Sequence, residues 1–165
     1  MANIGELIKP ALIAGLGVGI IGSIFSNGMG FLVTLIPPLA CCLGLPMMAL
    51  CIVWPSLTGV GTVMLASKKH GLGIADGAIG GALAGVFGGL ASTVIGFLFF
   101  ILQTVFNIGT TMATSGVDGD SLAMIGLGGI GAFAGFIFGS FFSVIVWTGI
   151  SAVAGLVGAM IFGNK

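Results

Sequence analysis

The residues best equipped for chemistry are two adjacent thiols, Cys41 and Cys42, in the stretch "LIPPLACCLGLPMM". With Cys51 further along, they offer two or three sulfur ligands. Such a set suits a soft ion such as Cu(I) and falls short of a closed zinc site, which wants four converging ligands. The single histidine, His70, belongs to "SKKHGLG", on the far side of an apolar run from the cysteine pair. Cysteine is also a small apolar filler. The pair therefore reads either as a metal site at Cys41 and Cys42 or as packing residues riding on a bend made by Pro37, Pro38 and Pro46.

Other chemistry has less to work with. Glu6, Asp76, Asp118 and Asp120 all lie at the ends of apolar runs or between them. Proton transfer across a bilayer needs a carboxylate at depth, and intramembrane proteolysis needs a Ser/His or paired-Asp set there. What falls at depth is hydroxyl only: Thr34, Thr58, Thr62, Ser92, Thr93, Ser143, Thr148 and Ser151. Such groups usually bond back to a carbonyl of their own helix; otherwise they would line a narrow neutral path. The sequence thus predicts no enzyme and no cofactor.

The elements that carry these residues follow from composition. The chain has 165 residues, 58% hydrophobic and 5% charged, with no arginine and no tyrosine. A soluble domain carries about 25% charged residues, and four lysines with four carboxylates cannot build a polar shell. The sequence therefore predicts an all-α, integral membrane helical bundle, with membrane lipids as its surroundings and no nucleic-acid partner. Glu6 and Lys9 precede the first apolar run without a convincing cleavage site, so the first helix is expected to stay in the mature protein.

A crossing needs roughly 20 mostly apolar residues. One run extends from Pro10 to about Ile36, with Pro10 suited to a first helical turn. A second covers Met47 to Ser67 around Pro55, and a third covers Ile74 to about Gln103 with Asp76 as its N-terminal cap. The polar stretch "NIGTTMATSGVDGD" precedes Ser121 to Phe162, which is too long for one span at ~1.5 Å per residue. That last run reads as two crossings, or as one crossing preceded by a re-entrant or interfacial helix over 121–140. Charge decides for four transmembrane helices: Lys9, Lys68, Lys69 and Lys165 then share one side, as cytoplasmic lysines do. The expected domain is single, 1–165, in the cell membrane with both termini cytoplasmic.

Laying Ile13 over Ile79 also matches Gly15, Gly19, Gly22, Ser26, Gly30, Phe31 and Leu32 with Gly81, Gly85, Gly88, Ser92, Gly96, Phe97 and Leu98. A second echo joins "IVWPSLTGV" from Ile52 to "IVWTGISAV" from Ile145. These predict two parallel-repeat helical hairpins, 1–70 and 71–165, related by an axis along the membrane normal. They also predict that Trp54 and Trp147 anchor at the outer interface. Glycine supplies 32 residues, many at four-residue spacing: Gly15 and Gly19; Gly77, Gly81, Gly85 and Gly89; Gly131, Gly135 and Gly139. Helices in a bilayer associate by close van der Waals packing, which small residues permit. Each row serves packing within the bundle or between copies in a homo-oligomer or larger membrane complex. "GLGVG" lacks the lysine and preceding strand of a phosphate loop.

The order of "KPALIAGL", a cysteine pair after the first span, "KKHG" followed by "ADGAIGGALAGVFGG", and a closing "AGLVGAMIFG" resembles a family of small, glycine-rich, uncharacterised multi-pass membrane proteins of archaea and bacteria. That resemblance implies a four-helix topology and no assigned activity. "CCLG", from Cys41, is similar to the cysteine pair of bacterial mercuric-ion transport proteins, which carry further cysteines or basic residues absent here. The leading expectation is a non-enzymatic four-span protein working through helix packing. The alternative is a small transporter or channel, for a soft metal ion entering at Cys41 and Cys42.

Overall fold

A computed structural model describes residues 4–36, 39–67, 72–115 and 119–163, with the backbone alone given for 4, 34, 39–45, 47, 115 and 119–125. Four α-helices account for nearly all of them: α1 (Ile4–Leu35), α2 (Leu39–Ser67), α3 (Ile74–Ser115) and α4 (Gly119–Phe162). Each is long and apolar enough to cross a membrane. The chain is a membrane protein of the multi-pass helical type.

Three boundaries differ from the sequence expectation. α1 starts at Ile4, so Pro10 lies inside the helix and not in its first turn; Glu6 instead occupies that turn, where a carboxylate meets the positive end of the helix dipole. α2 starts at Leu39, so Cys41, Cys42 and Pro46 belong to a helix, with Pro46 and Pro55 both inside it. Pro37 and Pro38 lie outside the described residues. α3 runs on through the polar stretch to Ser115, because its threonines need no water. Thr110 donates to the Asn107 carbonyl at 2.9 Å, Thr111 to the same carbonyl at 2.8 Å, and Thr114 to the Thr110 carbonyl at 2.9 Å.

Residues 121–140 form the first half of one continuous α4 and not a separate element. At 44 residues α4 is ~66 Å long, and α3 at 42 residues is ~63 Å, against ~48 Å and ~44 Å for α1 and α2. The α3–α4 hairpin therefore projects beyond the other two helices on the side away from the lysine-bearing turn. Phe100 stacks on Phe136 at 5.1 Å between ring centroids, and Phe97 meets Phe136 at 5.7 Å, at the base of that projection.

Packing follows the order α1–α2–α4–α3. α2 and α3 also touch across the middle, while α1 and α4 make no contact among the described residues. Among the described residues, buried apolar side chains form a small cluster, Leu7, Val63, Ala66, Leu72 and Ala159, at the lysine-bearing end. Elsewhere the described interior is mostly glycine, alanine, serine and threonine, with Pro55 and Asp76. Lipid tails are as apolar as leucine, so burying large side chains gains little; close backbone approach holds the bundle.

The repeat survives inside each hairpin. Gly22 of α1 receives the Trp54 ring of α2, and its repeat partner Gly88 of α3 receives the Trp147 ring of α4; an added β-carbon would lie 2.8 Å from the indole in both cases. Between hairpins the match fails, since an axis along the membrane normal that allows α2 to touch α3 would require α1 to touch α4. The cause lies in the glycines: Gly15 faces Ala84 and Phe87 of α3, whereas its repeat partner Gly81 faces Ser151 and Gly155 of α4.

Both tryptophans pack between the two helices of a hairpin. Trp54 is ~20 Å along α2 from Ser67 and meets Phe25 edge-on at 6.2 Å. Its Nε1 is buried with no hydrogen-bond partner among the described residues. An unmet buried donor costs about 1–3 kcal/mol. Trp54→Phe removes it while keeping a ring against Gly22, and is expected to leave thermal stability in detergent within about 1 kcal/mol of wild type, whereas Trp54→Ala costs roughly 3–5 kcal/mol.

Candidate functional site

The tightest region of the molecule is built around Ser151, whose side chain is fully buried. Its Oγ donates to the Pro55 carbonyl of α2 at 2.8 Å, a bond between helices. Most other described hydroxyls at depth bond back within their own helix, Thr58 to the Trp54 carbonyl at 2.9 Å and Thr148 to the Val144 carbonyl at 2.7 Å among them. Ser151 reaches across because glycines let three helices converge on it. A β-carbon at Gly59 of α2 or at Gly81 of α3 would collide with the Ser151 carbonyl itself. One turn further along, Gly155 faces the Gly77 carbonyl and the Gly81 backbone. Gly85 would place a β-carbon 2.7 Å from the Thr148 Cα, and Gly89 one 3.0 Å from the Val144 Cα. Gly19 approaches the Gly88 Cα of α3 to 2.8 Å by the same measure.

The glycine rows therefore divide. Gly15, Gly19, Gly77, Gly81, Gly85 and Gly89 are all filled from within the chain. Among the described residues, Gly131, Gly135 and Gly139 have nothing within 4 Å of an added β-carbon, and neither do Gly126, Gly128 and Gly129 just before them. Spacing is the same in both groups; only the presence of a neighbouring helix differs. The open row runs along α4 beside exposed Ile130, Phe138, Phe141 and Phe142.

Asp76 caps α3 in a different way from that expected. Gly73 is the residue before the helix, and the Asp76 Oδ2 reaches back to accept its backbone N–H at 3.1 Å. That is the reciprocal half of a capping box. The carboxylate is only 6% exposed.

Cys41 and Cys42 lie in α2, but their side chains fall outside what the structure describes. Cys51 is a free, exposed thiol. Nine residues of helix separate it from Cys42, ~14 Å along the axis, so the third thiol cannot join the pair around one ion within a single chain. No cluster of three or more ligand side chains occurs among the described residues.

The hydroxyls Ser92, Thr93 and Ser143 come together on a cavity of about 220 Å³ between α1, α3 and α4. Asn27 and Ser140 complete its polar lining, with Phe136, Gly96 and Gly139 as the apolar part. Neither Asn27 nor Ser140 stands out in the sequence. The signal that would have found them is register: Asn27 is one turn beyond Ser23, and Ser140 lies three residues from Ser143 on the same helix face.

No family model matches this chain, and neither does any curated protein or solved structure.

Proposed function

We propose that the chain is a non-enzymatic, four-span protein of the cell membrane that works as a homo-oligomer, its copies packing through the open glycine face of α4. One observation carries this reading: Gly131, Gly135 and Gly139 lie on a helix surface with no neighbour among the described residues, whereas the equally spaced glycines of the other rows are all occupied. Glycine inside a helix costs about 1 kcal/mol relative to alanine. Among the described residues, Gly131 and Gly135 gain no contact in return. A second α4 laid along it would recover close contact, as the Gly81–Ser151 crossing does inside the bundle.

Helix length supports the same reading. A hydrocarbon core is ~30 Å thick, about half the length of α3 or α4. Tilting absorbs part of the excess, but Leu127 and Ile130 remain exposed near the outer end. A helix that is apolar all round is stable only when covered. A second copy covers it with matching chemistry. Both termini are assigned to the cytoplasm, because four crossings gather Lys9, Lys68, Lys69 and Lys165 on one side.

Light scattering of the detergent-solubilised chain, corrected for bound detergent, tests the proposal. The expected protein mass is an integral multiple, two or more, of the 16.3 kDa chain. A mass equal to one chain across the accessible concentration range overturns it.

A further inference from the structure

The cavity between α1, α3 and α4 differs from the rest of the interior in what its hydroxyls do. Thr58, Thr62, Thr104 and Thr148 each donate to a carbonyl one turn back in their own helix. Ser92, Ser140 and Ser143 have no hydrogen-bond partner among the described residues, and all three line this one cavity. Thr93 donates to the Gly89 carbonyl at 3.0 Å, and the Asn27 Nδ2 donates to the Ser23 carbonyl at 2.8 Å. Both keep oxygen lone pairs available, so the wall offers unspent donors and acceptors together. Facing them is Phe136, held by its stacking on Phe100.

Ser92 stands 16 residues, ~24 Å, along α3 from Asp76, inside the hydrocarbon thickness and in the half remote from the lysines. Unmet polar groups at such depth are costly, and a cavity of about 220 Å³ has room for roughly seven waters or one small polar molecule. Its described lining carries no charge, so an ion would lose its hydration shell without a counter-charge. A neutral guest loses far less. The combination of hydroxyls with one aromatic face suits a group with hydroxyls on one side and C–H bonds on the other. Access is lateral: α1 and α4 do not touch among the described residues, and Gly139 lies exposed at the rim.

We propose that this cavity is a binding site for a neutral polyol group of glycerol size, held by the Ser92, Ser140 and Ser143 hydroxyls and the Asn27 amide, with its C–H face on Phe136. The group is carried either by a membrane lipid or by a free polyol. The site is formed within one chain, and Gly139 belongs both to its rim and to the proposed contact between copies.

The full-length chain in nanodiscs is tested with two probes. Monooleoylglycerol, which keeps two free hydroxyls, with its dimethyl ether as the hydroxyl-blocked control, is doped into the disc and its retention read by native mass spectrometry; radiolabelled glycerol is followed by equilibrium dialysis. Retention of monooleoylglycerol at least tenfold above its dimethyl ether identifies a lipid source. Saturable glycerol binding without lipid retention identifies a free polyol. In either case the S92A/S140A/S143A variant is expected to lose the bound probe at least tenfold, and it breaks no internal hydrogen bond. A second variant, Gly96→Val, fills the space instead: a β-carbon at Gly96 meets only the Phe136 ring, at 3.7 Å. It should fold and likewise lose the probe. Absence of both kinds of binding in the folded wild type, or unchanged binding in folded variants, overturns the assignment.

Discussion

Leucine at Gly81 or Gly155 is expected to abolish the folded bundle, and alanine at either position to destabilise it by about 1–3 kcal/mol or more. The obstruction at both positions is backbone. At Gly81 the new β-carbon would meet the Ser151 carbonyl and lie 3.1 Å from the Gly155 Cα; at Gly155 it would meet the Gly77 carbonyl and lie 3.0 Å from the Gly81 Cα. No rotamer change relieves such contacts. α3 must move away from α4, and that motion also opens the Gly85–Thr148 and Gly89–Val144 approaches and pulls on the Ser151–Pro55 hydrogen bond. The penalty therefore spreads along several turns. Alanine recovers about 1 kcal/mol of helix propensity, which is too little to offset it. Gly17 and Gly149 are the controls: both are helical with nothing within 4 Å, so alanine there should be neutral or stabilising by up to about 1 kcal/mol. Ser151→Ala isolates the hydrogen bond, whose like in membranes average about 0.6 kcal/mol. Thermal unfolding in detergent reads the five alanine variants. If Gly81→Ala melts with wild type, the α3–α4 crossing is not where the structure has it.

Much of this arrangement was legible in the residues, and the parts that were not share a cause. The row Gly77, Gly81, Gly85 and Gly89 announces a close crossing because four-residue spacing keeps glycines on one helix face. Gly131, Gly135 and Gly139 announce the same thing, yet nothing among the described residues fills them; spacing specifies a face and not its occupant. The seats of the tryptophans are hidden for a related reason: the pairing of Gly22 with Trp54 and of Gly88 with Trp147, which makes a notch for each ring, is tertiary. Pro46 marked a turn by propensity, but α2 continues through it, as membrane helices can where neighbours resatisfy the freed carbonyl. Thr110, Thr111 and Thr114 looked like loop composition until their hydroxyls were seen bonded back to the helix. The cavity residues Asn27 and Ser140 were hidden because convergence of three helices on one space is not written in any one segment.

The second large effect is expected where the structure leaves room. Leucine at both Gly131 and Gly135 should leave the monomer folded and dissociate the oligomer, reversing the outcome at Gly81. An added side chain at either position meets no atom of the described residues within 4 Å of the β-carbon, and the helix gains propensity. Against a second α4, the same leucines prevent the close backbone approach that small residues allow. An overpacked contact costs roughly 1–3 kcal/mol, so two together weaken association on the order of a hundredfold or more. Gly139 is left unchanged because it also borders the polyol cavity, which keeps loss of association separate from loss of ligand. Light scattering should give a single-chain mass for the double variant, with a thermal midpoint for unfolding of the monomer no lower than that of wild type diluted to the same state. A double variant that still assembles assigns the contact to another face of the molecule. One that fails to fold means that an internal neighbour fills this row after all.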